Sequence, residues 1–408
     1  MFNQKVQKLS QLAKLFFKLG LIGFGGPAAH IALMEEEVVK RRQWLTRSHF
    51  LDLMGATNLI PGPNSTEMAI HVGYIYGGLP GLIIAGVCFI LPAVSITACL
   101  AWIYVEFGTL PQIAPLIYGI KPAVLAIVGI ALWRLSKKAV KSRLLLIISI
   151  GVIALLLLGL NEVFSLLLGG ILGMILLRLS DRGNPPSKQT IAIITIFNLN
   201  STLLKTISAS GVAIAGTNAV SVSLWQLGWF FLKVGSVLFG SGYVLVAFLQ
   251  GGLVEEYGWL TQQQLLDAIA IGQFTPGPVL STSTFIGYLV AGFPGAVVAT
   301  LAIFLPSFFF VACLNPLIPR LRASAWASAF LDAVNVSAVA LMFVVTLNLA
   351  KTTLINSVGE RLFDNLDLDW LACSIATVAA VLAIRFQVNT AFLVLGGALV
   401  GWLFSGYF

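Results

Sequence analysis

Charge is what this sequence lacks. Of its 408 residues only 10% are Asp, Glu, Lys or Arg, against 58% hydrophobic, and the mean hydropathy is +0.95. An ordinary soluble domain carries about 25% charge, so polar residues here are too few to cover a water-soluble globule. Histidine is scarcer still. His30, His49 and His71 are the only three, without His-Glu-x-x-His spacing, and so offer no zinc-peptidase set. The four cysteines, Cys88, Cys99, Cys313 and Cys373, sit singly in apolar segments. They form neither a metal-ligand spacing nor a disulfide framework and read as small buried hydrophobes. With no nucleophile motif and no nucleotide loop either, a membrane-embedded enzyme finds no support, and no cofactor or metal is expected.

What is present is apolar length. Runs such as 79–105, 144–160 and 371–384 are nearly charge-free, as bilayer spans are. The class is an all-α polytopic membrane protein in contact with lipid. The net charge of +8 does not mark a nucleic-acid partner, because the basic residues cluster in short loops beside apolar spans rather than on one continuous face. The first 18 residues place Val6, Leu9, Leu12, Ala13, Phe16 and Phe17 at helical spacing among Lys5, Lys8, Lys14 and Lys18. They read as an amphipathic lead-in helix on the cytoplasmic face, without a signal-peptide cleavage site.

The chain repeats itself. At an offset of 215, Phe24-Gly25-Gly26-Pro27 matches Phe239-Gly240-Ser241-Gly242, Trp44-Leu45-Thr46 matches Trp259-Leu260-Thr261, and Leu51-Asp52 matches Leu266-Asp267. The triplet Pro61-Gly62-Pro63 likewise matches Pro276-Gly277-Pro278. At an offset of 214, Gly73-Tyr74 matches Gly287-Tyr288, Pro80-Gly81 matches Pro294-Gly295, and Leu91-Pro92 matches Leu305-Pro306. The halves are 1–183 and 220–408, joined through a polar, proline-bearing stretch in 184–219, whose part 190–219 is either a crossing helix or a loop. Each half is expected to hold five to six helical elements.

Charge in matched loops changes sign. Loop 40–47 carries Lys40, Arg41, Arg42 and Arg47, while 255–262 carries Glu255 and Glu256. Loop 106–111 has Glu106, while 315–322 has Arg320 and Arg322; loop 134–143 is strongly basic, while 351–369 mixes Lys351 and Arg361 with four acids. Basic loops stay cytoplasmic, so the halves are expected to face opposite ways, as inverted-topology repeats. Loop parity then requires that one of the segments 50–76 and 80–105 not cross. Segment 50–76 contains the proline triplet and is read as re-entrant, as is 19–34 around Gly23–Pro27, with full crossing as the alternative. Irregular backbone at that depth is tolerated where it lines a cavity.

The Pro-Gly-Pro breaks carry the chemistry. Pro61 and Pro63 remove donors and clash with a preceding helical turn, and Gly62 accepts strained angles. A helix then starts afresh near Pro63, with free amides and a partial positive charge. Asn64, Ser65 and Thr66 add donors there, and Ser281 and Thr282 do so beside Pro276, Gly277 and Pro278. The glycine breaks Gly25-Gly26 and Gly240-Ser241-Gly242 are assigned to the same path. Intramembrane cations are functional candidates by default: Lys18 and Lys233, at equivalent positions, either balance an anion or snorkel to the interface, and Lys121 precedes Pro122. Glu67 and His71, one turn apart on one helix face, are a candidate proton-coupling pair; the alternative for Glu67 is a helix-capping charge. His30 and Glu35–Glu37 are placed at the interface.

Phe24-Gly25-Gly26-Pro27, Trp44-Leu45-Thr46, Pro61-Gly62-Pro63-Asn64-Ser65-Thr66-Glu67 and Gly77-Gly78-Leu79-Pro80-Gly81 together resemble the chromate ion transporter family, and the second half repeats the pattern as that family's long members do. Gly240-Ser241-Gly242 departs mildly from the Gly-Gly usual there. The resemblance implies a two-repeat inner-membrane protein, N-terminus cytoplasmic, that moves chromate, outward in many members, conferring chromate resistance and drawing on the proton motive force. Some members are linked to sulfate, a dianion of similar size, so sulfate uptake stands as the alternative. A channel and a homodimer are left open.

Overall fold

The computed structural model describes residues 2–108, 114–181, 222–239, 242–314, 324–355 and 368–404. The connecting segment 184–219, Gly240, Ser241, Arg320, Arg322 and Arg361 lie outside the described residues. The first half runs α1 (Phe2–Ile22), α2 (Pro27–Glu35, continued by a π turn Glu36–Arg41), α3 (Arg47–Thr57), α4 (Asn64–Phe107), α5 (Ala114–Ala139), α6 (Arg143–Leu157) and α7 (Glu162–Asp181). The second runs α8 (Leu224–Val237), α9 (Leu245–Leu249, continued by a π turn Gln250–Glu256), α10 (Gln262–Phe274), α11 (Thr282–Leu314), α12 (Ala325–Leu354), α13 (Trp370–Arg385) and α14 (Thr390–Leu403). The order is the same in both halves, down to the π turns. Among the described residues, five helices are long and apolar enough to span a bilayer, within α4, α5, α7, α11 and α12.

Local sequence explains the starts and breaks. Thr46 caps α3 by accepting from the His49 amide, and Thr261 with Gln264 forms a capping box on α10. Pro27 opens α2 behind Gly26, whose φ of 80° no side-chain-bearing residue adopts easily. α4 is a hairpin rather than a rod: it folds back at Gly78, so that Gly73 backs onto the Gly81 carbonyl and the Ala85 methyl. In a straight helix Gly73 and Gly81 would be about 12 Å apart along the axis. α11 folds the same way at Gly292, with Gly287 against Gly295. These folds and breaks divide the elements expected in each half into more, shorter segments.

Two short hairpins follow from this. Trp44, just ahead of α3, stacks on Tyr76 at 4.0 Å, so α3 and the first arm of α4 enter and leave together with Pro61-Gly62-Pro63 at their tip. Arms of about 16 and 21 Å fall short of a hydrocarbon core of about 30 Å. Lys8 lies over the Tyr76 ring and Arg42 over Trp44, which gathers basic groups at the base of this hairpin. Likewise Lys18 reaches Glu37 at 3.0 Å across the break at residues 23–26, so α1 and α2 reverse there. α1 is one helix through residue 22, where the sequence suggests a lead-in ending near 18; Leu12, Leu15, Phe16 and Leu19 are buried as it packs along α4.

The halves exchange partners. α6 and α7 pack on α12, and α13 and α14 pack on α5. α5 and α12, equivalent in order, run antiparallel. Lys141, just past α5, pairs with Asp332 early in α12 at 2.7 Å. Tyr118 near the start of α5 donates to Asp369, whose amide donates to Leu354 at the end of α12. Between bilayer helices tight packing matters more than water exclusion, and Gly119 accordingly meets Gly397 and Gly401 backbone to backbone. Many large apolar side chains, including Trp225, Trp229, Phe293, Phe309 and Phe392, face outward, as a lipid-facing belt requires.

Candidate functional site

Four breaks in the helices converge, and each proline tip is seated by the opposite half. The Gly62 amide donates to the Leu238 carbonyl at 2.7 Å, and the Gly277 amide donates to the Gly23 carbonyl at 2.7 Å. Adding 215 to Gly62 gives Gly277, and adding 215 to Gly23 gives Leu238, so the two bonds are one bond made twice with the halves exchanged. The surroundings are exchanged too. A Cβ at Gly62 would strike Ser307, and one at Gly277 would strike Ala93; 93 and 307 are equivalent at the 214 offset. The two seats are thus reciprocal between the halves. Both glycines have positive φ, 145° at Gly62 and 93° at Gly277, the conformation that glycine alone takes without strain.

Buried polar groups gather on the first tip. Glu67 is fully buried, and neither carboxyl oxygen has a hydrogen-bond partner among the described residues. Its Oε1 lies directly beside the Gly62 Cα, close to Ser307. The Ser307 and Thr66 hydroxyls and both ring nitrogens of fully buried His71 are likewise without partners. No hydrogen bond joins Glu67 to His71. An unsatisfied buried polar group costs roughly 1–3 kcal/mol, so such a concentration is what a site that accepts polar cargo or protons displays. α4 starts behind Pro63 with no side-chain cap, which leaves its first amides for something else. Asn64 reaches Asn58 across the tip at 2.9 Å.

The second tip is more satisfied. Thr282 donates to the Val279 carbonyl at 2.8 Å and Ser283 to that of Leu280 at 2.8 Å, whereas the Ser281 hydroxyl is buried without a partner. Thr97 approaches Thr275 at 3.5 Å. Gly26 sits against the Tyr243 hydroxyl and Gly25 near Asn389, whereas Gly242 lies against Val279 and Leu280, just after the second proline tip.

The candidate cations are not assembled there. Lys18 is spent on Glu37, whose carboxyl also meets Arg41 and Arg42 at 3.3 and 3.5 Å; the Lys18 hydrogen bond holds the Glu37 carboxyl below the usual carboxylate range. Lys233 lies over the Phe230 ring at 5.8 Å. Lys121 lies within electrostatic reach of Asp267, which is buried and accepts from the Tyr104 hydroxyl at 2.7 Å. His30 differs from its interfacial assignment. It is buried, and its Nε2 stands 2.9 Å from the Gly23 carbonyl, the oxygen that also seats Gly277. Sequence reasoning missed Ser307, Asp267 and Tyr104. Only Asp267 left a signal, as an acid inside an apolar segment at a repeat-matched position.

The chromate transporter family matches residues 10–174 and 225–402. The chain belongs to this family. It is a multi-pass membrane protein of a transport family. It is 33% identical over 394 residues to a chromate transport protein of Cupriavidus metallidurans, covering 96% of this chain and 92% of that one. It is 34% identical over 334 residues to a probable chromate transport protein of Synechococcus elongatus, covering 81% of each. An uncharacterized transporter of Bacillus subtilis, YwrA, is 34% identical over 127 residues, which are 31% of this chain and 71% of that protein. No solved structure matches the chain.

Proposed function

We propose that this protein is a secondary active transporter of chromate, working outward across the inner membrane with the N-terminus cytoplasmic. Its two halves act as inverted-topology repeats. The antiparallel course of α5 and α12, the reciprocal seating of the two tips and the sign change in matched loops support that arrangement. The observation that carries the functional reading is the cluster of partnerless buried groups, Thr66, Glu67, His71 and Ser307, at a helix start with free amides.

A tetrahedral dianion at this tip meets donors from the amides and side chains of Asn64, Ser65 and Thr66, with Ser281 from the other half. It also meets Glu67. An ionised Glu67 repels the dianion, while a protonated one donates to it, so anion and proton bind together. A chromate that leaves with one proton carries one negative charge outward. Each charge moved gains about 2.3 kcal/mol per 100 mV of inside-negative potential. The electrical part of the proton motive force therefore drives export in this reading, and protons are the second partner.

The test is chromate efflux from proteoliposomes under imposed potentials and pH gradients, with sulfate as competitor. An inside-negative potential and acid on the chromate side should each speed exit. Flux no greater than from empty liposomes overturns the assignment, and preference for inward sulfate replaces it with uptake.

A further inference from the structure

A cavity of about 630 Å³ opens among the hairpin of α3 and α4, the end of α5 and the start of α12. Asn58 and Asn64 line it from the hairpin tip, Asp332 and Asn335 from α12, Lys138 from the last turn of α5 and Lys141 from just past it. Asn58 is exposed although it stands 11 residues past Arg47 along a hairpin arm. Irregular backbone within a bilayer is stable only beside protein or an aqueous cavity, and here the hairpin tip borders a cavity through Asn58 and Asn64.

The two lysines differ. Lys141 is neutralised by Asp332 at 2.7 Å. Neighbouring Lys137 lies over the Trp133 ring at 4.5 Å, and Arg134 reaches the Ala383 carbonyl at 3.5 Å. Lys138 is exposed and has no counter-ion among the described residues. A cleft with charge of one sign and low-dielectric walls concentrates ions of the other sign and raises their rate of entry.

We infer that this cavity is an antechamber which binds the oxyanion before it reaches the helix break, with Lys138 as the recruiting cation and Asp332 as a brake that withholds Lys141. The inference rests on the anion-transport reading and adds a site outside the tips. It explains why the asparagine pair Asn58–Asn64, rather than an apolar plug, faces the cavity: these amides pass the anion from lysine to helix start.

The two charges make opposite predictions. In proteoliposomes, Lys138→Gln should raise the KM for chromate roughly threefold to tenfold, the scale of one unit charge acting on a dianion through water, with little change in maximal rate. Lys138→Arg should restore it. Asp332→Asn should lower KM, because Lys141 is released. The KM of the native protein should rise with ionic strength, and less steeply in Lys138→Gln. Equilibrium binding of labelled chromate to detergent-solubilised protein is measured in parallel, so that a protein which binds but carries nothing indicts the transport reading alone. A KM and a binding constant unmoved by Lys138→Gln, or raised by Asp332→Asn, overturn the antechamber.

Discussion

At the scale of single residues, Gly62 is constrained in three ways at once. Its amide is committed to Leu238, its φ of 145° excludes other residues, and the space where a Cβ would go is held by Glu67 and Ser307. Gly62→Ala should lose roughly 1–3 kcal/mol from backbone strain alone, more with the steric clash, and should abolish transport. A thermal melt in detergent together with a flux assay checks this, and an unshifted melt with native flux contradicts it. The Pro-Gly-Pro spelling makes the break legible in the sequence, and the 215 offset makes its twin legible. What Gly62 holds on to is not legible, because a backbone bond across 176 residues leaves no trace in residue type. Lys18 shows the same limit: its partner Glu37 lies 19 positions away and becomes a neighbour only once the chain reverses at the glycines.

At the scale of elements, the candidate site sits on short hairpins carried on long helices. Their arms stay together by close backbone approach. Gly73 and Gly81 touch where α4 turns back, so Gly73→Val should force the arms apart, at a cost of about 1–3 kcal/mol for overpacking and with a lower melting temperature. Gly151, which meets nothing within 4 Å, serves as the control: Gly151→Val should leave the melt nearly unchanged. Equal shifts for the two would remove the packing argument. Loop charge and parity point, from sequence alone, to a segment 50–76 that does not cross; α3 and the first arm of α4 pack as a hairpin with the Trp44–Tyr76 stack at its base. The exchange of α5 and α12 between the halves was not readable, since uniformly apolar helices carry no signature of their neighbours.

At the scale of the whole molecule, the two halves are alike in order but not in chemistry. The first tip has Glu67 and His71, both buried and without hydrogen-bond partners; the second has Thr282, which is already bonded to Val279, and Ile286. In the proposed mechanism, coupling therefore belongs to the first half and the seat to both. The opposed arrangement predicts that single cysteines replacing Arg42 and Glu256 in a cysteine-free background react with an impermeant thiol reagent from opposite sides of the membrane. Labelling from the same side contradicts the inverted reading.

The central claim is that Glu67 carries the proton that accompanies the anion. Chromate flux is measured in proteoliposomes with native protein and with Glu67→Gln, varying pH on the chromate side and, separately, exchanging labelled for unlabelled chromate at equal pH. The native protein should speed up as that side is acidified, whereas Glu67→Gln should retain exchange and lose the pH dependence. Unaltered pH dependence in Glu67→Gln would contradict the account.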